Sequence, residues 1–185
     1  MGDAGIASCS ALHGLMLPGR VGVATIADAG PRSRFVFRGE PSALGVAFGV
    51  SLPEQPCRSA MAGERAALWL GPDEWLLLDQ GSQGEGLRRE LLAVLTGKAA
   101  SLVDVSHRNA GLIVGGPKAA LLINAGCPLD LDINAFPTGM VARTIFGKAE
   151  IILWRTGAEA FHVEVWRSFA PYVCGLFAEA MRDLD

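Results

Sequence analysis

Phe35-Val36-Phe37-Arg38-Gly39-Glu40-Pro41-Ser42-Ala43 and Leu112-Ile113-Val114-Gly115-Gly116-Pro117-Lys118-Ala119 are the two stretches on which the fold turns. Each opens with three apolar residues suited to a strand and breaks at glycine and proline. Each then passes into an apolar segment with helical spacing, Ser42 to Val50 in the first copy and Lys118 to Ala125 in the second. Proline is cheap at a helix start, because first-turn amides have no intrahelical partner anyway. Gly-x-Pro-x-Ala set against Gly-Gly-Pro-x-Ala, with matching elements around it, indicates an internal duplication.

The segments downstream correspond as well. Ala66 to Leu70, the turn Gly71-Pro72-Asp73 and Glu74 to Leu78 read as a hairpin, followed by a Leu- and Arg-rich helix from about Gly86 to Leu95. In the second half, Glu150 to Arg155, the turn Thr156 to Glu159 and Ala160 to Trp166 form another hairpin. A helix over Ser168 to Asp183 follows, with Ser168 as its cap, Pro171 in its first turn, and Phe169, Val173, Leu176, Phe177 and Ala180 on one face. Both halves therefore read β, α, β, β, α. The fold class is α+β, a pseudo-duplicated domain built on ferredoxin-like halves. Ser101 to Ser106 and Ala110 to Val114, strands flanking His107-Arg108-Asn109, mark the seam. The organisation expected is an N-terminal extension over 1–19 with little order, then one domain over 20–185 made of repeats at about 20–100 and 101–185.

Composition narrows the classes of function. The 185-residue chain carries 16 Lys and Arg against 19 Asp and Glu, a formal charge of -3 that points to neither nucleic acid nor an anionic membrane. Half of the residues are hydrophobic and only 19% are charged, where roughly a quarter is usual, so apolar surface awaiting a partner is expected. The cations are nearly all arginine, with Lys98, Lys118 and Lys148 the exceptions; a G- and C-rich genome and a buried interface both produce that bias. No uncharged apolar run nears the roughly 18 residues of a membrane span. No basic segment precedes the Ile6 to Leu17 stretch, so a secretory signal is not expected. Cys9, Cys57, Cys127 and Cys174 are dispersed without a Cys-x-x-Cys pair, as in a reduced cytoplasmic protein.

The residues capable of chemistry do not assemble into a motif. Gly81, Gly84 and Gly86 do not give Gly-x-Gly-x-x-Gly, and Gly97-Lys98-Ala99 and Gly147-Lys148-Ala149 lack the rest of a phosphate loop. His13, His107 and His162 are isolated, so no metal site is expected. Neither Ser106 beside His107 nor Cys127 lies in a nucleophile elbow, and no catalytic residue is assigned. Asp130 and Asp132, on alternate positions of Cys-Pro-Leu-Asp-Leu-Asp, have two roles open: to hold a pterin or a partner arginine, or to cap a solvated loop. Trp69, Trp75, Trp154 and Trp166 all belong to hairpins, so some are core and an exposed one would anchor a partner. Trp75, Trp154, Arg155 and Arg167 are the candidates for that interface.

Taken in order, Leu70-Gly71-Pro72-Asp73-Glu74-Trp75-Leu76, Val103-Asp104-Val105-Ser106-His107-Arg108, Gly126-Cys127-Pro128-Leu129-Asp130-Leu131 and Arg167-Ser168-Phe169-Ala170 resemble the γ subunits of the heterotetrameric sarcosine oxidases. The similarity runs from about residue 20 to the end. It implies a fold like the folate-binding domain of the glycine-cleavage aminomethyltransferases, agreeing with the duplicated pattern. It also implies a complex that oxidises sarcosine to glycine and passes the one-carbon unit to tetrahydrofolate. In that family FAD, covalently attached FMN, NAD and the folate site belong to the α and β subunits, and a δ subunit holds zinc. The resemblance thus makes this chain a non-catalytic assembly subunit with α, β and δ partners and no cofactor of its own. Two alternatives stay open. One is a folate- or flavin-contacting subunit, for which Asp104 with Arg108, or Asp130 with Arg143, are the cofactor-binding candidates. The other is a stand-alone folate-binding protein of the same fold.

Overall fold

The structure, a computed structural model, describes residues 12–81 and 84–184. Chain order is β1 (Gly19–Arg20), β2 (Ala24–Asp28), β3 (Ser33–Arg38), α1 (Ser42–Phe48), β4 (Ser59–Ala62), β5 (Arg65–Gly71), β6 (Glu74–Asp79) and α2 (Gly84–Val94). It continues through β7 (Ser101–Asp104), β8 (Asn109–Gly115), α3 (Ala119–Asn124), β9 (Val141–Phe146), β10 (Ala149–Gly157), β11 (Ala160–Trp166), a single 3-10 turn (Arg167–Phe169) and α4 (Ala170–Arg182).

The strands form two antiparallel sheets, ordered β4-β5-β6-β3-β7 and β1-β2-β8-β11-β10-β9. Equivalent hairpins, β5 with β6 and β10 with β11, occupy equivalent places, each beside the strand that carries a motif, β3 or β8. The outer neighbours are exchanged. β2 leaves its own half to pair with β8, with Ile26 opposite Val114, and β7 leaves its half to pair with β3, with Val36 opposite Val103. The seam expected between the halves is therefore a crossing: β7 ends in one sheet and β8 begins in the other.

Strand periodicity divides the core into three layers. On β6, Trp75 and Leu77 face α1 and α2, meeting Leu44, Phe48, Leu87 and Leu91, whereas Leu68 of β5 and Leu76 and Leu78 of β6 join a cluster with Val141, Ile152 and Trp154 of the other sheet. On β11, Phe161, Val163 and Val165 pack with Val173, Phe177 and Met181 of α4 and Leu122 of α3. The sheets thus stack face to face with helices outside each. This is why β6 is buried at all six positions and shows no polar alternation. Phe146 and Phe177, stacked at 4.2 Å between ring centres, tie β9 to α4.

Several sequence expectations need correction. Each half holds one strand more than expected between its first helix and its hairpin: β4 and β9 are edge strands, laced together by the Ser59 amide donating to Gly139 O (2.9 Å) and the Val141 amide to Cys57 O (3.0 Å). Ser168 does not cap the last helix; it lies inside the 3-10 turn, and α4 begins after Phe169 with no side-chain cap and with a proline in its first turn. Within the segment assigned to an extension, residues 1–11, Cys9 among them, lie outside the described residues. Leu12, by contrast, is 3% exposed in the core under the six-stranded sheet, with Leu15 and Leu17 packed nearby.

The duplicated glycines mark where each motif strand turns into its helix. Gly39 and Gly116 directly follow β3 and β8, with φ of 145° and 117°, conformations that a side chain rarely adopts. The helices begin at Ser42 and Ala119, so the two motifs superpose with Gly39 on Gly116, one residue off the letter-by-letter match. A Cβ at Gly116 would stand 2.8 Å from Val23 O and 3.0 Å from Ala24 Cα, backbone atoms at the start of exchanged strand β2. We expect Gly116→Ala to lose about 2 kcal/mol or more in urea unfolding, from φ strain plus that collision. Gly22→Ala, with φ of 78° but open space around it, should lose less.

Candidate functional site

Charge interrupts the apolar layer between the sheets at two places, a buried row around Arg34 and Glu164 and, nearer solvent, Glu74 with Arg143. β3 directs Phe35 and Phe37 toward the helices, so alternation sends Arg34 inward; on β11 the same rule sends His162 and Glu164 inward. Arg34 Nε donates to Glu164 Oε2 at 2.6 Å, and the two side chains are 4% and 0% exposed. His162 Nε2 lies 2.8 Å from Glu164 Oε1, and Arg32 Nη1 lies 3.5 Å from His162 Nδ1. Arg32 also donates to Ala29 O through Nη2. Room for the pair comes from Gly111, opposite Glu164 on β8, where a Cβ would come within 3.0 Å of both Arg34 Nη2 and Glu164 Oε1.

The electrostatics assign the protons. Burial pushes the Glu164 carboxyl up, but the His162 hydrogen bond and the charges of His162 and Arg34 outweigh it and hold the group at about 2. Burial pushes His162 down, more than its bond to Glu164 raises it. The Arg34 guanidinium, bonded to Glu164, favours the ionised carboxylate. His162 is then neutral at pH 7, donating through Nε2 to Glu164 and accepting at Nδ1 from Arg32. Desolvation also lowers Arg32 from the ordinary arginine value.

The nominated cofactor residues lie apart. Asp104, at the end of β7, accepts from the Ser106 amide (2.8 Å) and hydroxyl (2.6 Å), and with Ser106 and His107 lines an open cleft of about 620 Å³. Arg108 turns the other way, its guanidinium 5.6 Å from the Trp166 ring centre. Asp130 accepts from the Asp132 amide at 2.9 Å and Asp132 from the Asn134 amide at 2.9 Å, the turn-capping arrangement. Arg143 bonds Glu74, which also takes a 2.6 Å bond from Arg38. Glu74 of β6 thereby links the sheets at a second point. Among the described residues no group of three or more His, Cys, Asp or Glu is placed to hold a metal ion.

The nominated interface residues divide just as clearly. Trp75, 1% exposed, donates Nε1 to Pro53 O at 2.8 Å, and Trp154 is 4% exposed between the sheets, so both are core. Arg155 is also 4% exposed, spending its guanidinium on Leu131 O, Phe136 O, Gly157 O and Ala158 O at 2.6–3.2 Å above the Phe161 ring. It is a knot that pins the 131–136 loop to β10. Arg167 is exposed. Beside it Trp166, one of the four hairpin tryptophans but not among the nominated interface residues, is the exposed one, 47% open, with Phe169 at 42%. The signal was present: Trp166 is the last residue of β11, and the alternation of β11 leaves it outside the helix-covered face.

Two sheets in this order, each covered by helices, define an aminomethyltransferase-like α+β fold. The glycine cleavage system aminomethyltransferase T from Bartonella henselae superposes with a TM-score of 0.67 at 14% identity, over 86% of this chain and 46% of that one. The model of the sarcosine oxidase, gamma subunit family matches residues 39–182. Sarcosine oxidase subunit gamma of Arthrobacter sp. is 35% identical over 143 residues, 77% of this chain and 70% of that protein. A chain of the heterotetrameric sarcosine oxidase from Corynebacterium sp. U-96, solved in complex with pyrrole 2-carboxylate, superposes with a TM-score of 0.83 at 27% identity, over 90% of this chain and 88% of that one. The chain belongs to the sarcosine oxidase γ subunit family.

Two measurements test the buried cluster. Glu164→Gln leaves two inward-facing arginines without a carboxylate in bonding distance, and we expect a loss of about 3–5 kcal/mol in urea unfolding. Both titrating groups bind protons more weakly when folded, so stability rises with pH across each window. As pH falls from about 6.5 the unfolded chain protonates His162 first, and stability drops. Below 4.5, and on toward about 2, protonation of Glu164 removes more. His162→Gln should abolish the first fall and keep the second; an unchanged profile would contradict the assignment.

Proposed function

We propose that this chain is a non-catalytic assembly subunit of a heterotetrameric sarcosine oxidase, cytoplasmic, docked on larger flavoprotein chains. The observation that carries this reading is the exposed Trp166 edge. A half-open indole with Arg108 across its ring, flanked by Arg167 and Phe169, is the residue chemistry that anchors protein interfaces. The edge is held rigid from beneath: the Arg167 amide donates to Arg108 O at 2.8 Å, and Trp166 pairs with Asn109 across β11 and β8. An anchor that is already ordered loses little entropy on docking. Among the described residues no helix is long and apolar enough to cross a membrane.

On this reading the partners are the α, β and δ subunits. The complex oxidises sarcosine to glycine with one-carbon transfer to tetrahydrofolate, and FAD, FMN, NAD, tetrahydrofolate and zinc sit on other subunits. Residues 20–185 act as one γ-subunit domain of two repeats. The buried Arg34–Glu164–His162 row then has a structural role, since charges spent on one another between two sheets are not presented to a substrate.

Co-expression with the neighbouring flavoprotein chains, followed by size-exclusion chromatography, tests the proposal. We expect one complex that has sarcosine oxidase activity and loses it when this chain is omitted. Trp166→Ala and Arg167→Ala should weaken association by about 2 kcal/mol or more while changing the chain's own unfolding free energy by under about 1 kcal/mol. Full turnover without this chain, or equal losses of stability and assembly, would refute it.

A further inference from the structure

Trp69 and Trp75 are cross-strand neighbours on β5 and β6, on the helix-covered side of the five-stranded sheet. Near the start of α1 they line a pocket of about 340 Å³. Its apolar walls are Pro41, Pro56 of the following loop, Pro72 of the hairpin turn and half-buried Trp69, with buried Trp75 beneath. Two exposed carboxylates, Glu40 and Glu54, complete it. Hydrogen bonds hold it in shape. Trp75 Nε1 donates to Pro53 O at 2.8 Å, fixing the loop that carries Glu54 and Pro56. The Gly39 amide donates to Asp73 O at 3.1 Å, joining the turn of Pro72 to the segment of Glu40 and Pro41. The Trp69 amide donates to Arg58 O at 3.0 Å. A pocket already ordered in this way loses little entropy when it is filled.

Charge decides what fits there. Glu40 and Glu54 line the pocket, and no Lys or Arg does. The neighbouring cations are engaged elsewhere: Arg38 with Glu74 at 2.6 Å on the opposite face of the sheet, Arg65 with Asp79 at 3.0 Å, and Lys98 Nζ with Ala43 O at 3.3 Å. Counting Arg58, beside Trp69, against Asp73, beside Pro72, still leaves the two lining carboxylates uncompensated. Residues 1–11, 82–83 and 185 contain neither Lys nor Arg, so those segments do not supply the missing cation.

We propose that this pocket receives an arginine side chain of a partner protein, its guanidinium stacked on Trp69 and donating to Glu40 and Glu54, its methylenes against the prolines. A planar guanidinium stacks on an indole while its N–H groups point outward in the plane, which suits an aromatic wall with carboxylates beside it. The strongly hydrated ammonium of a lysine fits such a wall less well. Tryptophan and arginine are also the residues that anchor protein interfaces. The space equals that of roughly eleven water molecules at about 30 Å³ each, which accommodates an arginine side chain. Trp166 belongs to the other sheet, so this pocket and the Trp166 edge can fail separately.

The test is a titration of the ¹⁵N-labelled full chain with an end-blocked Gly-Arg-Gly peptide, following the indole N–H resonances. The Trp69 signal is identified by its loss in Trp69→Phe, or by through-bond assignment if that variant does not fold. The comparators are the same peptide with citrulline, equal in shape but uncharged, the same peptide with lysine, and sodium chloride at matched ionic strength. We expect a saturable shift of the Trp69 signal with the arginine peptide, with binding about tenfold or more weaker for citrulline and about threefold or more weaker for lysine. Glu40→Gln combined with Glu54→Gln, both at exposed positions, should lose about tenfold or more with the spectrum still dispersed. No shift, an equal response to any comparator, or unchanged affinity in the double variant would overturn the site. Self-association of the chain that the double variant abolishes would assign the pocket to a second copy and overturn the partner. In the co-expressed complex the double variant should weaken association about tenfold or more, and unchanged association would overturn the docking. Absence of any complex with the unaltered chain would count against the assembly reading instead.

Discussion

The Arg34–Glu164 ion pair is the interaction on which the arrangement of the two sheets depends. It joins β3 of one sheet to β11 of the other at 2.6 Å, in a layer otherwise built from Leu68, Leu76, Leu78, Ile152 and Trp154. Apolar contacts between sheets are tolerant of sliding, because one aliphatic neighbour is much like another. A buried charge pair is not tolerant, since a shift of a residue or two leaves both charges desolvated and unpaired. Its net contribution to stability need not be large for it to select one register. The second bridge, from Glu74 to Arg143, sits nearer solvent, with Arg143 43% exposed, and constrains the sheets less.

The strand exchange explains why neither half is expected to persist alone. Without β2 the six-stranded sheet loses the strand that pairs β8, and without β7 the five-stranded sheet exposes β3. An unpaired strand carrying Phe35 and Phe37 beside an open row of amides is the edge that natural sheets avoid. The exchange also places the 105–108 turn against both sheets: the Val105 amide donates to Arg34 O at 2.8 Å, and Arg108 O accepts from Arg167. The open cleft at Asp104, the buried ion pair and the exposed Trp166 edge therefore all hang on one short connection.

Charge satisfaction distinguishes the nominated residues that stay available to a partner from those that do not. Arg155 and Arg167 look alike in sequence, each next to a tryptophan near a hairpin end. Arg155 is consumed by four backbone carbonyls, because its strand lies one in from the edge of the six-stranded sheet, where the 131–136 loop meets it. Arg167 lies just past the end of β11, where alternation no longer turns a side chain inward.

The sequence by itself determined the duplication, the helices, both long hairpins and the family resemblance, because these rest on local periodicity, on Gly-Pro punctuation and on motifs contiguous along the chain. It also showed Asp130 and Asp132 in a form that allowed the turn-capping role they take. It did not reveal β4 and β9, edge strands that pair with the next strand along, β5 and β10, nor the exchange of β2 and β7, because pairing across halves leaves no local trace. Nor did it place Trp154, Arg155 or His162: whether a strand residue faces a helix, a second sheet or water depends on what covers the sheet. That was decided only when the two sheets stacked, and the bonding of Glu164 and the neutrality of His162 both follow from that burial.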